Sequence, residues 1–531
     1  MKPFLLLIAL GMALNGRSQS QKALSTRPNI LFIMTDDHAK RAMSAYSTDL
    51  MQTPNLDRIA NEGMRFTNAC VTNAICGPSR AVILTGKFSH SNGFKTNADG
   101  FNGSQPTLPK YLQQAGYYTA IIGKWHLHSA PQGFNLYDIL IDQGEYYSPQ
   151  FYNGSDTVVE KGYVTNIITD KTIQLIENQK NTGRPFFIMM HHKAPHRSWM
   201  PYTEDLKNQQ EKEFTPPTTF FDDYRNRSDA ARLQDMRVEN LYLGYDLKVY
   251  LKNASEETGT GGDKDKTRGK SFPWLYGDLK RMDAAQKELW EQYYMPLTQD
   301  FYKNNLRGEA LLRWKYNRYM NDYTRTVKSV DDNIGRLLDY LQKTGLDKNT
   351  IIIYTSDQGF FLGEHGWYDK RFMYEPTLEM PLAIRYPPLI RAGGVNHQLV
   401  QNLDFAPTML DLAGVAVPAD MQGVSLKPLL EGRSAKNWSK SIYYHYYENP
   451  GIHFAERHFG VKTDRYKLIY FYDIKQWELY DLKTDPDEVQ NLYNDKKYAG
   501  TVKTLKKELN RLIAKYKDNT VPQNYGSASS P

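Results

Sequence analysis

The chain has 531 residues, of which 40% are hydrophobic and 24% are charged, an ordinary composition for a globular protein. This length exceeds what one small core can fill, so we expect one large domain and one smaller domain. The formal net charge of +7 is spread along the sequence. No run of about five or six basic residues forms a tail, so we expect no nucleic-acid partner, although an anionic ligand is permitted.

The amino terminus has the pattern of a secretory signal. Lys2 is followed by an apolar stretch at 4–14 and a polar segment at 15–20. This order is typical of a cleaved signal peptide, and the apolar stretch is shorter than the roughly 20 residues that span a membrane. We predict a signal peptide at 1–20, no membrane anchor, and a periplasmic or secreted protein. A buried amino-terminal helix is the alternative interpretation.

Apolar runs that end in polar residues alternate with helical patterns along most of the chain. The predicted strands are at 28–34, 64–67, 117–122, 186–190 and 350–355. The predicted helices are at 53–61, 107–115 and 167–179, with a fourth that contains Val327 and stops near Gly345. Because strands and helices alternate, we predict a large, mixed but mostly parallel sheet sandwiched by helices, an α/β fold. We assign this domain to 25–436.

The pattern changes in two later regions. Helical and strand periodicity fades over about 203–299, which we interpret as an insertion containing a surface loop at 259–270. After residue 437, short aromatic strands separated by turn residues predict a small antiparallel sheet. A final helix at 502–516 has one apolar stripe, which we expect to pack on that sheet. The stripe consists of Leu505, Leu509, Leu512 and Ile513. We assign the smaller domain to 437–531.

Two cysteines, Cys70 and Cys76, lie six residues apart, and a disulfide is one interpretation of the pair. The sequence 76–86 reads CGPSRAVILTG. It matches the signature C-x-P-S-R-x-x-x-L-T-G of type I sulfatases at every fixed position. The chain thus resembles the formylglycine-dependent sulfatases over nearly its whole mature length, and this resemblance implies an alkaline-phosphatase-like fold.

The resemblance implies a specific fate for Cys76. In the family, a maturation enzyme oxidises this cysteine to formylglycine, whose hydrated aldehyde carries two hydroxyls on one carbon. One hydroxyl attacks sulfur, and loss of a proton from the other later expels sulfate, so the site turns over by covalent catalysis. We therefore expect formylglycine at position 76 and the maturation enzyme as a partner. A thiol nucleophile and a buried apolar cysteine are the alternatives.

The resemblance also implies a calcium site and a set of basic residues. Calcium prefers oxygen ligands, and the family's ligand pairs correspond to Asp36–Asp37 and Asp357–Gln358, with position 76 supplying a further oxygen. Solvated turns at the two strand ends are the alternative. The basic residues that correspond to the family's catalytic groups are Arg80, Lys124, His126, His196 and Lys370.

Each basic residue has an implied role. Arg80 resembles the arginine that holds the formylglycine hydroxyl, and Lys124 and His126 match a Gly-Lys-Trp-His motif. His126 is the candidate base that deprotonates the hydrate. His196 or Lys370 assists the leaving oxygen, and we favour His196 as general acid because an unperturbed histidine pKa lies nearest neutrality.

Three segments, 143–147, 192–199 and 368–371, resemble bacterial N-acetylglucosamine-6-sulfatases acting on glycosaminoglycan fragments. The implied reaction removes a 6-O-sulfate from a terminal glucosamine of a sulfated carbohydrate. Asp369 and Arg371 flank Lys370, so we expect them to form charge-assisted hydrogen bonds with sugar hydroxyls. We expect His453 to close the pocket. The alternative is a local ion pair that only orders this loop.

Other functions are compatible with parts of the pattern. A phosphoester hydrolase of the same superfamily would share the fold, but such enzymes generally use two zinc ions and a Ser or Thr nucleophile. A sulfatase for another glycan sulfate position and a catalytically silent glycan-binding protein are further alternatives. The sequence gives no role to His128, His191, His192 or Lys193, which we expect to support the site or fill the core.

Overall fold

The computed structural model describes residues 27–253, 256, 277–433, 436, 438–449, 451–523 and 525. The signal peptide expected at 1–20 and the surface loop expected at 259–270 lie outside the described residues. Within these described ranges, every helix is too short or too polar to cross a membrane.

The strands and helices follow the order expected of an α/β chain. The strands are β1 Asn29–Thr35, β2 Met64–Phe66, β3 Ala69–Cys70, β4 Tyr118–Lys124, β5 Leu136–Leu140, β6 Gln150–Tyr152, β7 Thr157–Val159, β8 Phe186–His191, β9 Thr350–Ser356, β10 Phe361–Leu362, β11 Tyr368–Asp369, β12 Leu382–Arg385, β13 Gly394–Asn396, β14 Val400–Gln401, β15 Ser441–Tyr446, β16 His458–Thr463, β17 Tyr466–Phe471 and β18 Gln476–Asp481. The helices are α1 Pro54–Asn61, α2 Cys76–Thr85, α3 Ser89–Asn92, α4 Leu108–Gln114, α5 Val164–Gln179, α6 Ala230–Leu233, α7 Ala284–Asn304, α8 Gly308–Thr344, α9 Glu375–Leu378, α10 Phe405–Leu412, α11 Lys427–Leu430 and α12 Ala499–Tyr516.

Ten strands form one large sheet in the order β13-β2-β12-β9-β1-β8-β4-β5-β6-β7. The central run from β9 to β5 is parallel throughout, whereas β12, β6 and β7 are antiparallel to the strands beside them. The predicted mixed, mostly parallel sheet is therefore confirmed. Because parallel strands end at one edge of a sheet, the polar residues that follow β1, β4, β8 and β9 are brought to the same side.

The large sheet is buried on both faces, as a central parallel sheet requires. On β1, Ile30 and Phe32 belong to one hydrophobic cluster, which also contains residues of α2, α4 and α10. Leu31 and Ile33 point the other way, into a cluster with α1, α5 and α8. This alternation explains why the predicted strand reads as a continuous apolar run.

The predicted carboxy-terminal sheet is also confirmed. Strands β15 to β18 pair in sequence order, each antiparallel to the next. Leu505, Leu509 and Leu512 of α12 belong to the same hydrophobic cluster as residues of these strands, with Ile513 packed against it. The stripe therefore lies on the sheet, while the boundary at 437 stays a prediction.

The region in which periodicity faded contains a regular element. Helix α7, with 21 residues, begins at a capping box formed by Asp283 and Gln286. Its buried face is largely aromatic, with Trp290, Tyr293 and Tyr294. The sequence pattern missed this helix because bulky aromatic rings, rather than aliphatic residues at regular spacing, cover its buried side.

Candidate active site

A cluster of acidic residues lies where β1 and β9 end. Thr35 pairs with Ser356 in the parallel register, so the residues that follow the two strands stand side by side. Asp36, Asp37 and Asp357 each place a carboxylate oxygen within 4.8 Å of the others, and all three are fully buried. The two strand ends predicted to share a site are thus adjacent.

The electrostatics of this cluster favour a bound cation. Burial, opposed by Lys370 and reinforced by the charge of Asp36, raises the pKa of Asp37 to about 7. Burial and Asp36 likewise raise the pKa of Asp357 to about 6. Asp36 Oδ1 and Gln358 Oε1 are buried without a hydrogen-bond partner. Oxygen atoms arranged in this way fit a hard divalent cation such as calcium.

Cys76 is the first residue of α2, a helix in which every residue is buried. Its Sγ, a carboxylate oxygen of Asp36 and a ring nitrogen of His196 all lie within 4.8 Å of one another. Burial, partly offset by Lys370, raises the pKa of the Cys76 thiol, which disfavours a thiolate nucleophile. Cys70 and Cys76 are both free, so the disulfide interpretation is wrong.

Arg80 and Lys124 each neutralise one carboxylate. Arg80 Nη2 donates to Asp357 Oδ2 at 2.8 Å, and its Nη1 donates to the backbone oxygen of Lys124 at 2.8 Å. Lys124 Nζ donates to Asp36 and also to Gln143 Oε1 at 2.5 Å. Arg80, one helical turn into α2, thereby ties the helix that begins at Cys76 to the ends of β4 and β9.

His126 lies beside these groups in a left-handed backbone conformation, with φ 55°. Its Nε2 is 2.9 Å from Gln143 Nε2, and its buried Nδ1 has no hydrogen-bond partner. Burial and the nearby charge of Lys124 lower the pKa of His126 to about 2, so the ring is neutral. Gln143 contacts both Lys124 and His126. The sequence revealed Gln143 only as part of a family-like segment.

His196 and Lys370 both lie close to Asp37. Lys370 Nζ lies 2.6 Å from both carboxylate oxygens of Asp37. His196 Nε2 is 3.7 Å from Asp37 Oδ2, while its Nδ1 donates to the Arg197 backbone oxygen at 2.6 Å. Burial and the charge of Lys124 lower the pKa of His196. Both candidate proton donors face the acidic cluster, but the unperturbed pKa expected of His196 as general acid is not found, because burial and Lys124 lower it.

The three residues predicted to bind a sugar lie together. His453 Nε2 is 2.9 Å from Asp369 Oδ2, and Arg371 Nε is 3.6 Å from Asp369 Oδ1. Arg371 Nη1 also lies 3.2 Å from Glu448 Oε2. Asp369 and Arg371 have positive φ values, 75° and 105°, which few side chains adopt. With this backbone, the side chains of Asp369 and Arg371 lie next to each other, although Lys370 separates them in the sequence.

The four neighbouring residues without a predicted role differ in their surroundings. His191 Nδ1 lies 3.1 Å from the Lys124 backbone oxygen. His192 is buried, and burial lowers its pKa to about 3. Lys193 Nζ donates to the Gln143 backbone oxygen at 3.2 Å. His128 Nε2 donates to the Asn97 backbone oxygen at 2.8 Å.

Comparison with known proteins agrees with this geometry. The family model described as Sulfatase matches residues 28–415, and the model described as N-sulphoglucosamine sulphohydrolase, C-terminal, matches residues 363–515. The chain is 51% identical to an N-acetylglucosamine-6-O-sulfatase of Bacteroides thetaiotaomicron, over 97% of this chain and 91% of that protein.

Solved structures give the same result. The structure of BT4656 in complex with its substrate D-glucosamine-2-N,6-O-disulfate superposes with a TM-score of 0.87 at 52% identity, covering 93% of this chain and 99% of that one. A phosphonate monoester hydrolase of Agrobacterium radiobacter, 18% identical over 92% of this chain and 96% of its own, shares the fold with a TM-score of 0.66. The chain therefore belongs to the sulfatase family and is a sulfate ester hydrolase.

Proposed function

We propose that the protein removes the 6-O-sulfate of N-acetylglucosamine in glycosaminoglycan fragments of the heparan or heparin type. The observation that carries this proposal is the joining of two groups of residues. Cys76 lies with the acidic and basic cluster. Lys370, which contacts Asp37 in that cluster, is flanked in the sequence by Asp369 and Arg371, and Asp369 contacts His453. The 51% identity to an N-acetylglucosamine-6-O-sulfatase supports the choice of sugar.

The cofactors proposed are formylglycine at position 76 and one calcium ion. Asp36, Asp37, Asp357 and Gln358, with position 76, would hold the calcium. The hydrated aldehyde would supply a hydroxyl nucleophile, and the cation would polarise the sulfate oxygens. Since Cys76 is only 1% exposed in the folded chain, the maturation enzyme must act before α2 is packed.

The chain's own residues have separable tasks. Arg80 and Lys124 place positive charge against developing negative charge, usually the largest catalytic term. His126, which is neutral, acts as the base that takes a proton from position 76, with Nε2, the nitrogen that faces the Gln143 amide, holding the lone pair. His196 directs Nε2 at the cluster and, once that nitrogen has taken a proton from solvent, delivers it to the leaving oxygen, while Lys370 neutralises charge there.

We further propose that residues 1–20 direct export, so that the enzyme acts in the periplasm or outside the cell. The apolar stretch at 4–14 in the sequence supports this location. Recovery of the chain in the extracellular or periplasmic fraction, with a new amino terminus near residue 20, is the expected result. A cytoplasmic protein that retains Met1 would contradict it.

Sulfate release from a panel of esters tests the activity. The panel contains N-acetylglucosamine-6-sulfate, a galactose-6-sulfate, a 2-O-sulfated uronate, an aryl sulfate and an aryl phosphate. We expect the highest kcat/KM for the glucosamine ester. A preference for 2-O-sulfated or galactose substrates would contradict the sugar assignment, and a preference for the phosphate would favour a phosphoester hydrolase.

The mass of the tryptic peptide that contains Cys76 tests the cofactor. Conversion to the aldehyde lowers the mass of that peptide and abolishes its alkylation by thiol reagents. An active enzyme in which this peptide stays fully alkylated would contradict the formylglycine proposal.

A further inference from the structure

Asp235 and its two neighbours in sequence connect two parts of the proposed sugar site. Met236 accepts a backbone hydrogen bond from Tyr368 at 3.0 Å, and Arg237 forms a β-bridge with Trp367. The Asp235 backbone N–H donates to the His453 oxygen at 3.2 Å. One short segment of the region with faded periodicity thus holds both β11 and the turn that contains His453.

Asp235 also contacts the side chain of His453. Its Oδ1 accepts a hydrogen bond from His453 Nδ1 at 3.1 Å, while the other ring nitrogen faces Asp369 at 2.9 Å. His453 is fully buried and Asp235 is 5% exposed. The Nδ1 end of the imidazole is held by a hydrogen bond to Asp235, whereas the Nε2 end lies at ion-pair distance from Asp369 without a hydrogen bond, so the orientation of the ring is set from the Asp235 side.

The backbone at His453 needs such support. His453 and Phe454 have φ values of 71° and 53°, a left-handed conformation that costs about 1–3 kcal/mol per residue unless its surroundings hold it. The backbone and side-chain contacts of Asp235 both act on this turn. Within the described ranges, no other carboxylate lies within ion-pair distance of His453 Nδ1.

We propose that Asp235 is a positioning residue for sugar recognition: it fixes the His453 ring, which in turn orients the Asp369 carboxylate toward the sugar. This inference rests on the proposed function of Asp369 and His453. Asp235 touches neither the acidic cluster nor Cys76. Its substitution should therefore affect recognition of the sugar rather than the chemistry at the sulfate.

Steady-state kinetics on N-acetylglucosamine-6-sulfate and on a small aryl sulfate test the role of Asp235. We expect Asp235→Ala to lower kcat/KM for the sugar by about tenfold or more, mostly through KM, because a buried polar group loses its partner. Turnover of the aryl sulfate should not change. Asp235→Asn should restore much of the loss, because its amide oxygen still accepts from Nδ1.

Two further variants separate positioning from folding. Glu239→Gln changes a half-exposed carboxylate on the same segment, which lies 3.4 Å from Arg237 Nη1, and should leave kcat/KM unchanged for both substrates. Adding Asp235→Ala to His453→Ala should cause no further loss, because the two residues act as one unit.

These variants distinguish a failure of the positioning role from a failure of the proposed function. If His453→Ala lowers sugar turnover but Asp235→Ala behaves as Glu239→Gln does, the positioning role is wrong and the proposed function stands. If Asp235→Ala lowers kcat/KM equally for both substrates while the enzyme stays folded, the role of Asp235 is structural and the inference is overturned. If His453→Ala leaves sugar turnover unchanged, the proposed sugar contact fails, and this inference fails with it.

Discussion

At the scale of single residues, each buried carboxylate of the acidic cluster has a different lysine or arginine as its nearest basic partner. The pairs are Asp36–Lys124, Asp357–Arg80 and Asp37–Lys370. The protein groups are therefore close to neutral as a set, and a divalent cation would leave the site positive. A positive buried site attracts an anionic sulfate ester, which agrees with the proposed chemistry.

Substitution of Cys76 by Ala should abolish turnover without unfolding the protein, because the side chain is a reactant and not a main packing element. Cys70→Ala is the matched control, since Cys70 is equally buried and its Sγ lies 4.0 Å from Lys462 Nζ, outside the cluster. Sulfate release per folded molecule and the far-ultraviolet circular dichroism spectrum are measured together. Near-native activity of Cys76→Ala would exclude nucleophilic catalysis from position 76.

Asp369→Ala and Arg371→Ala should separate sugar recognition from sulfate chemistry. Loss of a buried contact to a sugar hydroxyl costs on the order of 1 to 3 kcal/mol. We therefore expect a large decrease in kcat/KM for N-acetylglucosamine-6-sulfate and little change for an aryl sulfate. An equal decrease for both substrates would instead assign the two residues to the sulfate site or to the fold.

At the scale of elements, the active site depends on how closely the parallel strands approach at their carboxyl ends. Gly123 precedes Lys124 on β4 and has φ 101°. A Cβ added there would lie 2.0 Å from the backbone oxygen of His191 on β8. Glycine thus allows β4 and β8 to deliver their polar residues side by side.

Gly123→Ala should destabilise the protein markedly and lower activity, because the added carbon collides with a neighbouring strand. Gly116→Ala is the control: its φ of 90° is similar, but nothing lies within 4 Å of the added carbon. The control should lose only about 1–2 kcal/mol of stability, the cost of placing a residue with a Cβ in a left-handed backbone conformation. Thermal denaturation of both variants tests this, and equal stability of the two would show that the close approach is unimportant.

Strand β16 carries a buried histidine that should make stability depend on pH. Burial, partly offset by a hydrogen bond to the Glu456 backbone, lowers the pKa of His458 from 6.5 to about 3. The stability that His458 contributes is fully present above pH 6.5, where its ring is neutral in both the folded and the unfolded chain. It is lost as the pH falls from 6.5 toward 3, because over this range the ring is protonated in the unfolded chain but not in the folded chain.

We therefore expect the Tm of the wild type to fall with acidification below pH 6.5, and the Tm of His458→Gln to fall less steeply. Glutamine can still accept the hydrogen bond that Met373 N–H donates to His458 Nε2 at 3.0 Å. Differential scanning fluorimetry across this pH range provides the measurement. Parallel curves for the two proteins would contradict the assignment to His458.

At the scale of the whole molecule, the proposed calcium site joins β1 and β9 to α2, elements far apart in the sequence. Chelation should therefore lower both activity and Tm, since a ligand that binds only the folded state stabilises it. Calcium should restore both. Asp357→Asn should lose this sensitivity, whereas Asp473→Asn, at a surface pair with Arg457, should keep it. Full activity and unchanged Tm after exhaustive chelation would exclude the metal.

The sequence by itself determined the fold class and most of the chemistry. Continuous apolar runs predicted β1, β4, β8 and β9 because a doubly covered strand is apolar on both faces. The segment 76–86 indicated the sulfatase family and predicted Cys76 as the nucleophile, and polar residues after each run predicted the edge on which the site lies. These signals are local, so they can be recognised without knowledge of the packing.

Only the tertiary structure decided which side chains meet. Gln143, Glu448 and Asp235 contact predicted site residues across about 17 to 218 positions of the sequence, and no periodicity reports such contacts. Helix α7 was missed because its buried face is aromatic. The pairing of carboxylates with basic residues was likewise invisible, since electrostatic partners are set by the distances between strand ends and by burial, not by spacing along the chain.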